Sequence, residues 1–135
     1  MSLVVDASIS ASFLLPDEQS EVAAAIGRRL AADGARAPDL FWHEMRNVLL
    51  TAVRRGRMDD DALYEQQSAV ESLPIRTENA DSREIARLSL KHRITAYDAA
   101  YLALAKFERL PLATLDKSLR AAASAEAVPL LPEQL

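Results

Sequence analysis

Apolar residues along this chain fall into two patterns. The first is the short unbroken run. Leu3-Val4-Val5 is three branched apolar residues stopped by Asp6 and the small pair Ala7-Ser8, which predicts a strand buried on both faces, as inside a parallel sheet. Arg36-Ala37-Pro38 allows a minimal second strand, Pro74-Ile75-Arg76-Thr77 a third and Leu112-Ala113-Thr114 a fourth. Val128-Pro129-Leu130 predicts a fifth at a sheet edge, where proline's missing N–H is tolerated.

The second pattern is helical spacing, and it fills the intervals between the runs. Ile9 to Leu15 predicts a short helix closed by Pro16. A helix starting near Asp17 and Glu18 repeats apolar residues at Val22, Ala25, Ile26 and Leu30, with Gly34 just past its end. Asp39 to Arg55 is the longest predicted helix, apolar at Leu40, Met45, Val48, Leu49, Ala52 and Val53 and stopped by Gly56. Asp59-Asp60-Asp61 puts negative charge at the start of another, which runs to about Leu73 before Pro74. Asn79 or Asp81 opens a helix through Ile85, Leu88 and Leu90 to His92, whose place suits the helix dipole. Ile94 to Ala105 is apolar nearly all round and is predicted to be buried. A last helix follows Asp116, through Leu119 to Ala123. Alternating strands and helices predict an α/β fold, a parallel sheet with helices on both faces.

Composition narrows the chemistry. The chain has 135 residues, half of them hydrophobic, enough for one domain with a real core, so residues 1–135 are read as a single domain. It has no cysteine, which removes disulfides, thiolate zinc sites and thiol nucleophiles. The two histidines, His43 and His92, form no ligand pattern, so any metal must be held mainly by oxygen, which points to magnesium or manganese rather than zinc. A net charge of -4 argues against coating nucleic acid by charge alone. The basic cluster of Arg46, Arg54, Arg55 and Arg57, or a bound cation, remains able to recruit phosphate. No basic stretch precedes an apolar one at the N-terminus, and the longest apolar run, Ala99 to Ala105, falls far short of the ~20 residues of a membrane helix. The expectation is a soluble, cytoplasmic protein with no membrane partner.

Four carboxylates stand out by position. Asp6 ends the first predicted strand and Asp116 follows the fourth, and open α/β sheets bind ligands beyond the carboxyl ends of their strands. Asp98 lies in the first turn of the apolar helix. Glu44 lies on the longest helix and shares a face with Asn47. Each acid has a local explanation as well: Asp6 and Asp116 as N-caps, Asp98 as the partner of Thr95 in a capping box, Glu44 as solvated surface. Strand ends and the first turns of following helices nonetheless open toward one edge of the sheet. Four carboxylates gathered there repel one another unless partly protonated or holding a cation, so the gathering makes sense as a hard-metal site. Oxygen-ligated magnesium activates water and neutralises charge on a phosphoryl group in flight.

With those residues in view, the sequence resembles the PIN-domain ribonucleases, most closely the VapC toxins of toxin-antitoxin pairs. The likeness covers essentially the whole chain, through Val4-Val5-Asp6-Ala7-Ser8, Glu44-Met45-Arg46-Asn47, Ala96-Tyr97-Asp98-Ala99 with Tyr101-Leu102-Ala103-Leu104-Ala105, and Ala113-Thr114-Leu115-Asp116. One such motif is weak; four in order at these spacings are specific. The resemblance implies a PIN-like three-layer α/β domain with a short four- to five-stranded, mostly parallel sheet. It also implies a magnesium- or manganese-dependent endoribonuclease, the toxin of a type II (VapBC) pair, with Asp6, Glu44, Asp98 and Asp116 as the catalytic set. In that scheme Asp6, Asp98 and Asp116 ligate the metal, and Glu44 binds it through water or orients the attacking water. Ser8, Asn47 and Thr114 match positions that support the ligands. The implied partners are RNA, such as tRNA or rRNA, a VapB-type antitoxin, and a second copy in a homodimer.

The chain departs from that pattern in three places. Arg93 stands where the family often has Gly or Asn, the connection before Pro111 lacks a frequent Gly, and Lys117-Ser118 stand where a further acid often follows the fourth. Rival readings are a housekeeping PIN nuclease, a non-catalytic partner-binding scaffold, and a receiver-like domain. A receiver needs a lysine ending a late strand, and Leu130-Leu131-Pro132 offers none; retention of all four acids speaks against the scaffold.

Overall fold

Leu3, Val4 and Val5 are fully buried in the computed structural model, which describes residues 1–15 and 20–135. They form β1 (Leu3–Val5), the centre of a sheet completed by β2 (Ala35–Ala37), β3 (Ile75–Thr77), β4 (Leu112–Ala113) and β5 (Leu130–Leu131) in the order β3-β2-β1-β4-β5. All neighbouring pairs are parallel. Val4 registers with Arg36 on one side and Leu112 on the other. A strand paired on both edges and covered on both faces has no use for polar side chains, which is why β1 is an unbroken apolar run.

The helices are α1 (Ala7–Leu14), α2 (Glu21–Asp33), α3 (Leu40–Arg54), α4 (Asp60–Glu71), α5 (Ser82–His92), α6 (Ala96–Glu108) and α7 (Lys117–Ala125). The chain steps outward from β1 through β2 to β3, then returns to β4 beside β1 and continues to β5. Right-handed crossovers in opposite directions put their helices on opposite faces of the sheet. The packing agrees: α1 meets α2 and α3, and α3 meets α4, while α6 meets α5, α7, β1 and β4. This is the three-layer α/β arrangement expected from the sequence. The strand order reverses between β1 and β4, and it is at such a reversal that open α/β sheets bind ligands.

Some boundaries differ from expectation. The expected helix start at Asp17 and Glu18, and the proline stop at Pro16, lie outside the described residues; α2 is capped by Ser20, whose hydroxyl oxygen accepts from the Ala23 amide. The fifth strand sits one to two residues later than Val128-Pro129-Leu130. Pro129 has no N–H to give the ladder, but its carbonyl accepts from the Leu112 amide at 2.8 Å, so pairing begins there and runs on to Leu131. Arg93 and Arg109, in the two connections where a glycine is missing, take left-handed conformations with φ of 54° and 56°. Each closes its helix by a bond across the turn, Ile94 N–H to Ser89 O and Leu110 N–H to Ala105 O.

Far from the strand ends in sequence, Glu126 joins three helices. Its carboxylate accepts from Lys91 at 2.7 Å, His92 at 2.7 Å and Lys106 at 2.6 Å, with Arg87 at 3.7 Å. The carboxylate is covered by these cationic side chains rather than by the core, and they hold its pKa far below the ordinary value. His92 therefore has a specific partner besides the helix dipole. Among the described residues, no helix is long and apolar enough to cross a membrane.

Candidate active site

Asp6 leaves β1 and caps α1. Its Oδ1 accepts from the Ile9 amide at 3.1 Å and from the Ser8 hydroxyl at 2.7 Å, and its Oδ2 accepts from the Thr114 hydroxyl. The local capping role is thus real but occupies one oxygen. The residue is only 5% exposed. Burial pushes its carboxyl above the usual range; the donors from Thr114, Ser8 and Ile9 pull it back, and the charge of Asp98 pushes it up again.

Thr114, fully buried at the end of β4, connects two of the acids. Its one hydroxyl proton goes to Asp6, and the same oxygen accepts from the Asp116 amide at 3.1 Å. Ser8 works in parallel, giving its proton to Asp6 and accepting from the Leu115 amide at 3.1 Å. The loop after β4 is in this way stitched to the end of β1. Asp116 caps α7, its Oδ1 accepting from the Leu119 amide at 2.8 Å, and is exposed.

Asp98 and Glu44 arrive from the two helical layers. The Asp98 amide donates to Thr95 Oγ1 at 3.1 Å, so half of the expected capping box is made by main chain rather than by the carboxylate. Burial raises the Asp98 carboxyl, the charge of Asp116 adds to it, and the Thr95 hydroxyl offsets part of the rise. Glu44 on α3 accepts from the Tyr101 hydroxyl of α6 at 2.5 Å. Burial raises its carboxyl too, Tyr101 offsets part of this, and Asp6 and Asp98 push it further. Tyr101, itself buried among these acids, is pushed far above its ordinary value and serves only as a donor.

Asp6, Glu44 and Asp98 therefore feel one another's charge, and Asp98 feels Asp116. Among the described residues no lysine, arginine or histidine forms an ion pair with any of the four. Nor do any three Asp, Glu or His side chains among them close on one point tightly enough to hold a metal ion. The acids share a field without sharing a point, as uncompensated like charges do. Ser8 and Thr114 belong to the network; Asn47 is exposed on α3 and is not hydrogen-bonded to the acids.

Two residues of the site were not singled out from sequence. Tyr101 lies three positions after Asp98, on the same side of the helix, and a buried tyrosine hydroxyl requires a partner. Arg120 lies four positions after Asp116 in an otherwise apolar turn. Its guanidinium is buried and donates to the carbonyls of Thr114, Pro132 and Glu133. A hollow of about 660 Å³ between α1 and α2 is lined mostly by apolar groups such as Phe13, Ala24 and Leu30, with Glu21 and Arg28 beside them, and none of the four acids lines it.

The PIN domain family model matches residues 3–125, and the chain belongs to that family. It is 36% identical over 123 residues to Ribonuclease VapC3 of Pyrobaculum aerophilum, a match covering 88% of this chain and 92% of that protein. The crystal structure of PAE2754 from Pyrobaculum aerophilum superposes with a TM-score of 0.73 at 25% identity, covering 98% of this chain and 90% of that one. FitAcB from Neisseria gonorrhoeae shares the fold, with a TM-score of 0.67 at 19% identity over the whole of both chains.

Proposed function

We propose that this chain is a magnesium- or manganese-dependent endoribonuclease and the toxin of a toxin-antitoxin pair. The observation that carries the proposal is Asp6: a carboxylate buried at the sheet's reversal point, held by three donors, in the field of Asp98 and Glu44, with no cation among the described residues paired to any of them. Perturbed acids gathered at such an edge mark functional sites more often than structural ones. The likeness to Ribonuclease VapC3 along nearly its full length supports the activity and the toxin class.

The donor set is all oxygen and uncompensated, which fits a hard divalent cation. Asp6, Asp98 and Asp116 would hold it. A bound ion of this kind supplies a water of lowered pKa and neutralises charge developing on phosphate. Glu44, fixed through one oxygen by Tyr101, keeps its other oxygen to orient the attacking water, directly or through the hydration shell. Ser8 and Thr114 hold Asp6 from behind, and Asn47, on the same side of α3 as Glu44, completes the polar surround. Hydrolysis breaks the bond from phosphorus to the 3′ oxygen, leaving 5′-phosphate and 3′-hydroxyl ends. The substrate is structured RNA such as tRNA or rRNA, and the partners are a VapB-type antitoxin and a second copy in a homodimer. We place the protein in the cytoplasm, with residues 1–135 acting as one domain.

The test is cleavage of a tRNA and rRNA panel with magnesium or manganese, with excess chelator, and with Asp6→Asn. Cleavage is expected only for the parent with metal, and activity that persists in chelator would refute the metal dependence. RNA-end sequencing after brief expression in a host cell, beside Asp6→Asn, identifies the target. Cleavage in vitro without any growth defect on expression would make this a housekeeping nuclease instead.

A further inference from the structure

Arg120 is 8% exposed, yet no carboxylate among the described residues pairs with it. All its partners are main-chain carbonyls: Nη1 donates to Thr114 O at 2.9 Å, and Nη2 to Pro132 O at 2.6 Å and Glu133 O at 3.3 Å. Burying a guanidinium without a counter-ion is costly. A methionine would fill the space without that cost, but it would leave the Thr114 carbonyl unheld.

That carbonyl matters because the sheet gives out beside it. β4 is only two residues long, and the last ladder bond on this side runs from the Thr114 amide to Leu131 O at 3.1 Å. The peptide that follows is held on its amide side by Ser8, whose oxygen accepts from the Leu115 N–H at 3.1 Å. Arg120 holds its carbonyl side and ties it to the chain beyond β5. The side chain so fixed is the one that donates to Asp6 and accepts from the Asp116 amide.

We propose that Arg120 is a positioning residue of the acid site: by locking the Thr114 carbonyl to the segment Pro132 to Glu133, it aims the Thr114 hydroxyl and so sets the orientation of the Asp6 carboxylate. This rests on the reading of Asp6 as a metal ligand, and the experiment separates the two. Arg120→Met, Arg120→Lys, Thr114→Val and the Arg120→Met/Thr114→Val pair are compared with the parent in two measurements. The first is the amide resonance of Ile9, recorded in chelator, because that amide donates to Asp6 Oδ1 and lies far from Arg120 in sequence. The second is magnesium and manganese affinity by calorimetry.

Folded Arg120→Met is expected to displace the Ile9 resonance and to weaken metal binding about tenfold, the usual scale for losing a group that orients a ligand. Arg120→Lys keeps a donor but cannot span both carbonyls, so it should fall between. The pair should bind metal no more weakly than the weaker single variant, because both changes act through one link. An unmoved Ile9 resonance with parental affinity would overturn the proposal, and so would losses that multiply in the pair. If Arg120→Met does not fold, Arg120→Lys decides by the same two readouts. A parent that binds no metal would sink the nuclease reading, while the Ile9 resonance would still judge Arg120.

Discussion

Asp98→Asn separates a metal ligand from a helix cap, because the two roles make opposite claims about stability. The cap bond in the structure runs from the Asp98 amide to Thr95 Oγ1, and an asparagine keeps it. Its loss therefore contributes little. The Asp98 carboxylate instead carries a burden, being half-buried and under the charge of Asp116, with Asp6 and Glu44 also in reach. Two like charges about 7 Å apart at an effective dielectric of about 20 repel by roughly 2 kcal/mol, and solvent screening of a part-exposed group reduces this to about 1 kcal/mol. In chelator the variant should thus match the parent or exceed it by up to about 1 kcal/mol. With magnesium at about 100 times its Kd the parent should gain about 2.7 kcal/mol, and the variant little of it. Thermal melts of both proteins, in chelator and in magnesium, measure all four states. A variant weaker than the parent by the same amount in both conditions would refute the reasoning and return Asp98 to a structural role.

Three further perturbations test other parts of the structure. Tyr101→Phe removes the donor to Glu44, so kcat should fall about tenfold, equivalent to about 1.4 kcal/mol; a larger drop in stability than in activity would make Tyr101 a packing residue. Glu126→Gln takes away the acid that Lys91, His92 and Lys106 share and leaves only Glu84 nearby, 3.9 Å from Lys106. After screening this should cost about 1–2 kcal/mol, or a melting temperature lower by roughly 3–6 °C, and an unchanged melt would show that the hub contributes nothing. Arg109→Gly relieves a left-handed arginine at an exposed helix end and should raise stability by about 0.5–1 kcal/mol; a lower melt would show that the arginine's own contacts outweigh the strain.

The two sets of acids also predict a pH dependence. Asp6, Glu44 and Asp98 are raised, so what they contribute is fully present below the ordinary carboxylate range and is lost as pH rises through their raised values. Glu126 is lowered, so its contribution is present above that range and is lost on acidification. Melts in chelator should therefore decline as pH rises above the ordinary carboxylate range, and magnesium should flatten the decline. A metal-free stability that rises there would contradict the raised acids.

The sequence by itself determined the elements and their order. Leu3-Val4-Val5 can satisfy its apolar side chains only between two layers, the apolar run from Ile94 can be only a buried helix, and Gly34 and Gly56 mark helix ends because a positive φ costs them nothing. It also determined the positions of Asp6 and Asp116 at strand ends, since both caps are local, each made with an amide three residues on. Tertiary structure alone decided what those residues meet. Thr114 reaches Asp6 across 108 positions, and Tyr101 reaches Glu44 across 57. Arg120 grips residues beyond a strand whose true start depended on where Pro129 offers a carbonyl. The three raised acids follow the same division. A carboxylate's identity is written in the chain, but its pKa is set by burial and by charges brought from other elements, and only the folded arrangement of α3, α6, β1 and β4 supplies those.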